Sequence, residues 1–274
     1  MFKLNVSPFW LSQLKKDFLI DFSYKISFFG QFFGIFLTAI SFYFISETFI
    51  NSESIHLEPF DQNYFVFATI GIAILDIVIT IMRSLTNSLR QAQSFGYVEI
   101  LFISRISASY IFLCSSVYPL LKGIFKFILY ILLLQIIGSH FFSFTSILIA
   151  FLLLIFMIIP FLALSFLAIS FVLYYKQSDP INFLINTIVS IFSGIIYPVT
   201  VLPIFMQNIS DFIPLTSQLN SARHILINNY LDEYVFSNLF YIHIFFSVVF
   251  FFLCLQAFKV SIYLVKKRGT IGAY

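Results

Sequence analysis

Long apolar runs alternate with short polar connections along most of this chain. A helix needs about 20 apolar residues, at 1.5 Å per residue, to cross roughly 30 Å of hydrocarbon. We predict six membrane-spanning helices, at residues 26–46, 63–82, 111–137, 146–173, 181–197 and 236–260. Pro160 predicts a kink within the fourth of them.

The composition agrees with this pattern. Apolar residues make up 60% of the 274 positions, charged residues make up 10%, and the mean hydropathy is +0.99. Soluble domains are about half apolar and a quarter charged. The chain is therefore predicted to be an all-α integral membrane protein, with residues 1–274 forming a single transmembrane domain.

The stretch 8–25 precedes the first predicted span and has its own helical pattern. Leu11, Leu14, Phe18 and Phe22 fall on one face of a helix, and the charged residues fall elsewhere. This pattern predicts an amphipathic, interfacial helix lying along the inner membrane surface. A leader helix packed on the bundle fits the same pattern.

Three prolines interrupt the chain after the fifth predicted span. A helix ends or kinks at each of Pro198, Pro203 and Pro214, because proline lacks an N–H and clashes with the preceding turn. A broken helix at membrane depth exposes backbone polar groups, so it is stable only where other protein or a water-filled cavity covers it. We therefore predict that residues 198–230 form short re-entrant helices on the outer side, which build a gate or lid.

Charges in the connections predict the orientation of the chain. The positive-inside rule places both termini in the cytoplasm of a multi-pass protein of the cell (inner or plasma) membrane. The inner side is assigned from Lys3, Lys15, Lys16, Lys25, Arg83, Arg90, Arg105, Lys176, Lys259, Lys266, Lys267 and Arg268. The outer side is assigned from Glu47, Glu53, Glu58, Asp61, Asp211, Asp232 and Glu233.

Three charged residues fall inside predicted spans, namely Asp76, Lys122 and Lys126. An unpaired charge at mid-bilayer costs on the order of 2.5–3.5 kcal/mol, so each of them needs a partner or water. Asp76 and Lys122 are expected at similar depth, which favours an Asp76–Lys122 ion pair with Lys126 lining a wet inner vestibule. A second interpretation has both lysines contact an anionic substrate headgroup.

No motif for catalysis, metal binding or nucleotide binding is present. The four histidines include no HExxH pair, and the two cysteines lie in apolar runs without a metal or disulfide spacing. There is no GxxxxGK[ST] motif for binding ATP. We predict no catalytic residue, no metal site, no bound cofactor and no nucleic-acid partner for this chain.

Two stretches resemble the type-2 ABC transporter permeases, the membrane subunits of ATP-binding-cassette exporters of drugs or polysaccharides. The first stretch, SGIIYPVTVLP with IPLTSQLNSARHIL, has a Ser-Gly, a Pro-x-x-x-Leu-Pro turn, a Pro-Leu-Thr and an Arg seven residues after that Thr. The matching residues are Ser193, Gly194, Pro198, Leu202, Pro203, Pro214, Leu215, Thr216 and Arg223. The resemblance implies that they form the outer gate.

The second stretch, RQAQSFGYVEILFISR, resembles the family's cytoplasmic Gly-Thr-Leu-Glu sequence, which two apolar residues and a Thr-Pro follow. Gly96 and Glu99 are kept, Tyr97 replaces the Thr, and Ser104-Arg105 replaces the Thr-Pro. The resemblance implies a coupling helix within residues 86–105, between the second and third spans. The residues expected to contact an ATPase are Arg90, Phe95, Gly96, Tyr97, Glu99 and Arg105.

The resemblance further implies a transport subunit, not an enzyme, that works as a homodimer or related heterodimer within the lipid bilayer. A separate cytoplasmic ATPase would bind ATP and Mg²⁺, and the cargo would be a hydrophobic or amphipathic small molecule, a lipid or a lipid-linked glycan. Two alternatives stay open from the residues alone. One is a secondary transporter or channel that uses Asp76 with Lys122 and Lys126, and the other is an intramembrane enzyme, for which Asp76 and His243 are candidates.

Overall fold

A computed structural model of the chain describes residues 8–49, 57–60, 63–138, 142–175, 179–228 and 238–268. Within these ranges the chain is helical and has no strand. The helices are α1 (Phe9–Ser23), α2 (Lys25–Phe49), α3 (Tyr64–Ser94), α4 (Val98–Ile103), α5 (Ala108–Ser115), α6 (Val117–Ile137), α7 (Phe144–Tyr175), α8 (Asp179–Phe192), α9 (Ile204–Asp211), α10 (Pro214–Asn228) and α11 (Asn238–Arg268). Short 3-10 turns lie at Glu58–Phe60 and Val199–Val201.

Some sequence predictions fall outside the described residues. They concern Lys3, Glu53, Asp61, Lys176, Asp232 and Glu233, the last two residues of the 198–230 segment and the first two of the 236–260 span.

Five helical stretches among the described residues are long and apolar enough to cross a membrane. They are Lys25–Thr48, Tyr64–Ser94, Ala108–Ile137, Phe144–Tyr175 and Phe240–Arg268. The chain is therefore a multi-pass, all-α membrane protein. Six full-length spans were predicted, but the fifth predicted span is the 14-residue α8. At 1.5 Å per residue α8 is about 21 Å long, and it ends at Phe192 before the predicted limit of 197.

Two further boundaries differ from the prediction. The third span consists of α5 and α6, which meet at Ser116. α3 continues past the predicted limit of 82 to Ser94, so Arg90 belongs to α3 and only Val98–Ile103 forms a separate helix within the predicted coupling segment. α7 runs through the buried Pro160 without ending.

Contacts between helix ends give the directions of the helices. Arg268 at the end of α11 donates to the Tyr174 hydroxyl at the end of α7, at 2.8 Å. Lys266 donates to the Phe102 carbonyl of α4, at 2.9 Å. α3, which leads into α4, is therefore parallel to α7 and α11. We call this end of the bundle the α4 end, and Phe9 of α1 also lies there, with its ring 6.2 Å from that of Tyr110.

α3 is the central helix of the bundle. In its most apolar 18-residue window 72% of the residues are buried, against 11% for α2 and 17% for α11. α3 packs against α6, α7 and α10, and its side chains contribute to both apolar clusters of the core. α2 instead exposes Phe29, Phe33 and Phe36 on its outer face. That face is suited to lipid or to another protein chain.

Candidate functional site

A polar cleft of about 750 Å³ lies between α1, α2, α3, α5 and α6. One face of α3 supplies polar side chains to it at helical spacing. Its polar lining residues are Asp17, Asp21, Tyr24, Ser27, Gln31, Asp76, Thr80, Arg83, Ser84, Asn87, Ser88, Gln91, Ser115, Tyr118, Lys122 and Lys126. All three charged residues predicted within the membrane thus line one cleft.

Two ion pairs cross this cleft. Nζ of Lys126 lies 2.9 Å from Oδ2 of Asp76. Nζ of Lys122 pairs with Oδ2 of Asp21 on α1, and the Tyr118 hydroxyl donates to the same oxygen at 2.6 Å. The predicted Asp76–Lys122 brace is therefore wrong, because Asp76 pairs with Lys126 and Lys122 has its own carboxylate.

Packing between α3 and α6 places both lysines within reach of Asp76. A Cβ placed at Gly123 would lie 3.5 Å from the Ile77 side chain, so these two positions are at the same level. Asp76 then stands between the levels of Lys122 and Lys126. Which lysine pairs with Asp76 depends on α1. Asp21 of α1 binds Lys122, so Asp76 pairs with Lys126. The sequence analysis missed Asp21, whose partner is 101 residues away.

A further carboxylate of α1, Asp17, lines the same cleft. Burial raises the pKa of the Asp17 carboxyl above its ordinary value, while the Lys16 ammonium at 3.2 Å acts to lower it. The cleft is thus an environment in which charged groups are partly removed from water.

Two smaller clefts continue the first one in both directions. A cleft of about 660 Å³ shares Tyr24, Asn87 and Gln91 with it and reaches Arg90 and Phe95 at the α4 end. A cleft of about 300 Å³ shares Gln31, Asp76, Ile79 and Lys126 and extends towards Ile72 and Tyr130. We call the three together the long groove. It runs from Phe95 to Tyr130 along α3.

The second candidate feature is Arg223, which is completely buried. Its Nε donates to the Phe67 carbonyl at 3.2 Å, Nη1 to the Gly194 carbonyl at 2.9 Å, and Nη2 to the Ile195 carbonyl at 2.7 Å. The guanidinium also lies 3.5 Å from the centre of the Phe67 ring. One side chain therefore joins α10, the turn after α8 and α3.

Two glycines make this arrangement possible. Gly194 has φ +66°, and a side chain there would collide with Val199. A Cβ at Gly71 would collide with the Ile195 carbonyl oxygen and with Nη2 of Arg223. The family resemblance marked Gly194 and Arg223, which the structure brings together. It missed Gly71 and Phe67, because nothing near them in the sequence distinguishes them from other apolar residues of a span.

Most of the other residues that the family resemblance assigned to the outer gate lie at the ends of short helices or turns. Pro198 precedes and Leu202 follows the turn at Val199–Val201, and Pro203 is the N-cap residue of α9. Pro214 is the first residue of α10, where a missing N–H costs no hydrogen bond. Leu215 is buried. Ser193 and Thr216 are buried too, and their hydroxyls have no hydrogen-bond partner within the described residues.

The third candidate feature is α4 with the turn before it. Gly96 has φ +71°, the Tyr97 N–H bonds to the Ala92 carbonyl, and the Gly96 N–H bonds to the Gln93 carbonyl. These bonds form a Schellman motif, in which glycine is favoured because it adopts positive φ without strain. The turn lets the chain leave α3 abruptly and start α4 two residues later.

α4 is attached to the bundle by one face. Val98 and Phe102 are buried, and Lys266 binds the Phe102 carbonyl. The residues that the attachment leaves exposed are Phe95, Glu99, Ile100, Ile103 and Arg105. We call these residues the α4 surface. Tyr97, half-buried, stacks on Phe95 with 6.4 Å between ring centres.

Metal ligands are not grouped in the described part of the chain, which contains no cluster of three or more His, Cys, Asp or Glu side chains that could hold an ion. Comparison of the sequence with known protein families and with curated proteins finds no match. The features of this chain that bear on its function are the long groove, the buried Arg223 and α4.

Proposed function

We propose that this chain is the membrane-spanning permease subunit of an ATP-driven exporter. A separate cytoplasmic ATPase binds ATP and Mg²⁺ and supplies the energy. The observation that carries the proposal is the α4 surface, on which Ile100 is 70% exposed, Ile103 81% and Phe95 76%. A short helix fixed firmly on one face and apolar on the other is suited to receive movement from a partner that encloses it.

The position of α4 supports this role. Lys266 of α11 holds it, and Val98 and Phe102 pack in the same apolar cluster as Leu85 of α3 and Phe166 of α7. A displacement of α4 therefore acts on three long helices at once. Glu99 and Arg105 add one charge of each sign to the apolar surface, which gives a partner a fixed orientation.

The chain between α7 and α11 supports an outer gate. Because α7 and α11 are parallel, this chain crosses back over the bilayer as a sixth crossing, of which α8 supplies about 21 Å. Gly71, which contacts the turn after α8, lies eight residues after Asn63 at the start of α3, or about 12 Å from that end. α9 and α10 cover the remaining depth as re-entrant helices, and Arg223 holds α10 and the turn after α8 to α3.

The surface of α2 supports assembly with a second copy of the permease or a related subunit. Its exposed phenylalanines form an apolar face next to the long groove. We propose that cargo crosses between two copies and leaves past the outer gate. The cargo class is a hydrophobic or amphipathic small molecule, a lipid or a lipid-linked glycan, and both chain ends lie in the cytoplasm.

Purification of the tagged chain from its native membranes tests this function. We expect an ATPase subunit to co-purify with the wild-type chain. Glu99→Arg should remove the ATPase and abolish export while the variant stays inserted. Glu47→Arg, the same change at the exposed end of α2 far from α4, is the matched control and should retain the ATPase.

Reconstitution without any partner gives the opposing outcome. A purified chain that alone accumulates solute against a gradient in proteoliposomes would overturn the proposal and favour a secondary transporter. In that case Asp76→Asn should abolish the uptake, because Asp76 is the carboxylate that the long apolar helix α3 contributes to the groove.

A further inference from the structure

Of the described cations that line the first cleft, Arg83 is in no ion pair. Lys122 is neutralised by Asp21, and Lys126 is neutralised by Asp76. Arg83 lines the same cleft, is exposed to it, and forms no ion pair with any described residue. An arginine in this position can bind an anion without giving up an existing partner.

Uncharged hydrogen-bonding groups surround Arg83. Asn87 and Gln91 lie one and two turns further along the same face of α3, and Tyr24, between α1 and α2, lines the same cleft. Asn87 and Gln91 are exposed, and their side chains bond to no described residue. A guanidinium with amide donors beside it fits a phosphate, which accepts two parallel bonds from arginine.

The depth of Arg83 matches a lipid headgroup. It lies 20 residues after Asn63, the N-cap residue of α3. That distance along the helix is about 30 Å, which equals the usual hydrocarbon thickness. With the start of α3 at one membrane surface, Arg83 lies at the headgroup level of the other surface.

The groove becomes less polar towards Ile72. Its third cleft contains the Asp76–Lys126 pair with Gln31 and Thr38, and its apolar lining consists of Ile35 of α2 and Ile72, Leu75 and Ile79 of α3. Gly34 also lines it, and a Cβ at Gly34 would have no atom within 4 Å. The apolar side of this cleft can accept an alkyl chain, which a free phosphate lacks.

We propose that the long groove binds an anionic, phosphate-bearing membrane amphiphile. Its phosphate lies against Arg83 and Asn87, with Gln91 one turn nearer the α4 end, and its chain lies in the third cleft between α2, α3 and α6. The site does not depend on the proposed ATPase partner, since the isolated chain contains all of its residues. A failure to bind the amphiphile would therefore leave the proposed export function intact. Likewise, a failure of the export proposal would leave the amphiphile site intact.

Equilibrium binding of a fluorescent phosphatidic acid to the purified full-length chain tests the headgroup site. We expect Arg83→Gln to weaken binding at least about tenfold, since a hydrogen bond to a charged group contributes about 1.5–3 kcal/mol. Arg105→Gln removes the same charge from the α4 surface, outside the groove, and should leave affinity unchanged. Both arginines are exposed, so the unfolding midpoint should not move.

A second pair of variants tests the third cleft independently. Gly34→Leu fills open space, so it should fold normally while it weakens phosphatidic acid binding at least about fivefold, by removing part of the apolar contact with the chain. Gly30→Leu adds the same side chain one turn away, where a Cβ also has no atom within 4 Å, but outside the groove. It should leave binding unchanged.

Three results would overturn the proposal. One is equal affinity of Arg83→Gln and Arg105→Gln for phosphatidic acid. Another is equal affinity of the native chain for phosphatidylcholine with the same acyl chains, because that lipid carries no net charge. The last is displacement of the probe by inorganic phosphate as effectively as by unlabelled phosphatidic acid, which would identify a site for free phosphate only.

Discussion

Nη2 of Arg223 on α10 occupies the space that a side chain at Gly71 on α3 would fill. The contact is possible only because position 71 has no Cβ, and it brings the Ile195 carbonyl against α3 at the same place. A glycine about two turns into the long apolar helix α3 thus determines how closely the interrupted segment packs on this central helix.

We expect Gly71→Ala to lower the free energy of unfolding by about 1–3 kcal/mol, because overpacking a buried contact forces the backbones apart. The midpoint of thermal unfolding in detergent measures this. Gly30→Ala on α2 is the control, since a Cβ there has no atom within 4 Å. Equal midpoints for the two variants would contradict the packing described.

Arg223→Lys should destabilise the chain although it keeps the positive charge. A lysine cannot reach the three carbonyl oxygens of Phe67, Gly194 and Ile195 together, and each buried acceptor left without a partner costs about 1–3 kcal/mol. We expect faster proteolysis of residues 193–228 than in wild type. Arg105→Lys is the same substitution at an exposed site and should not change the rate of proteolysis. Equal acceleration by the two variants would argue against the three hydrogen bonds of Arg223.

The two ion pairs of the long groove can be separated by double-mutant cycles. Asp21→Asn with Lys122→Gln, and Asp76→Asn with Lys126→Gln, should each show a coupling energy of about 0.5–3 kcal/mol in unfolding experiments. The crossed combination Asp76→Asn with Lys122→Gln should be nearly additive. If the coupling energy between Asp76 and Lys122 were larger than that of either observed pair, Asp76 would instead be paired with Lys122.

Gly96→Ala should loosen α4 without affecting the rest of the bundle. Forcing an alanine to φ +71° costs about 1–2 kcal/mol, and this strain acts on the turn that starts α4. Hydrogen exchange should rise in residues 97–103 and stay unchanged in α7, with Gly30→Ala as control. Unchanged exchange at residues 97–103 would show that Gly96 is not needed for this turn.

Much of the fold follows from local sequence. Six apolar stretches were predicted as spans, and five of them are helical stretches long enough to cross a membrane, because lipid requires about 20 apolar residues per crossing. Pro214 was expected at a helix boundary and starts α10, since the missing N–H of proline costs no hydrogen bond in the first turn. The limits of α3 and α8 were wrong, because polar residues continue α3 past the apolar run and the turn at Gly194 ends α8 early.

The sequence by itself determined that this is an all-helical, multi-pass membrane protein, that charges fall within its apolar stretches and that prolines interrupt the chain after α8. Only the tertiary structure decided which charges pair and what fills the break. Asp21 meets Lys122 across 101 residues, and Arg223 meets the Phe67 carbonyl across 156. The physical reason is that hydrophobic length is a property of one segment, whereas pairing and close approach depend on which helices pack together and at what level.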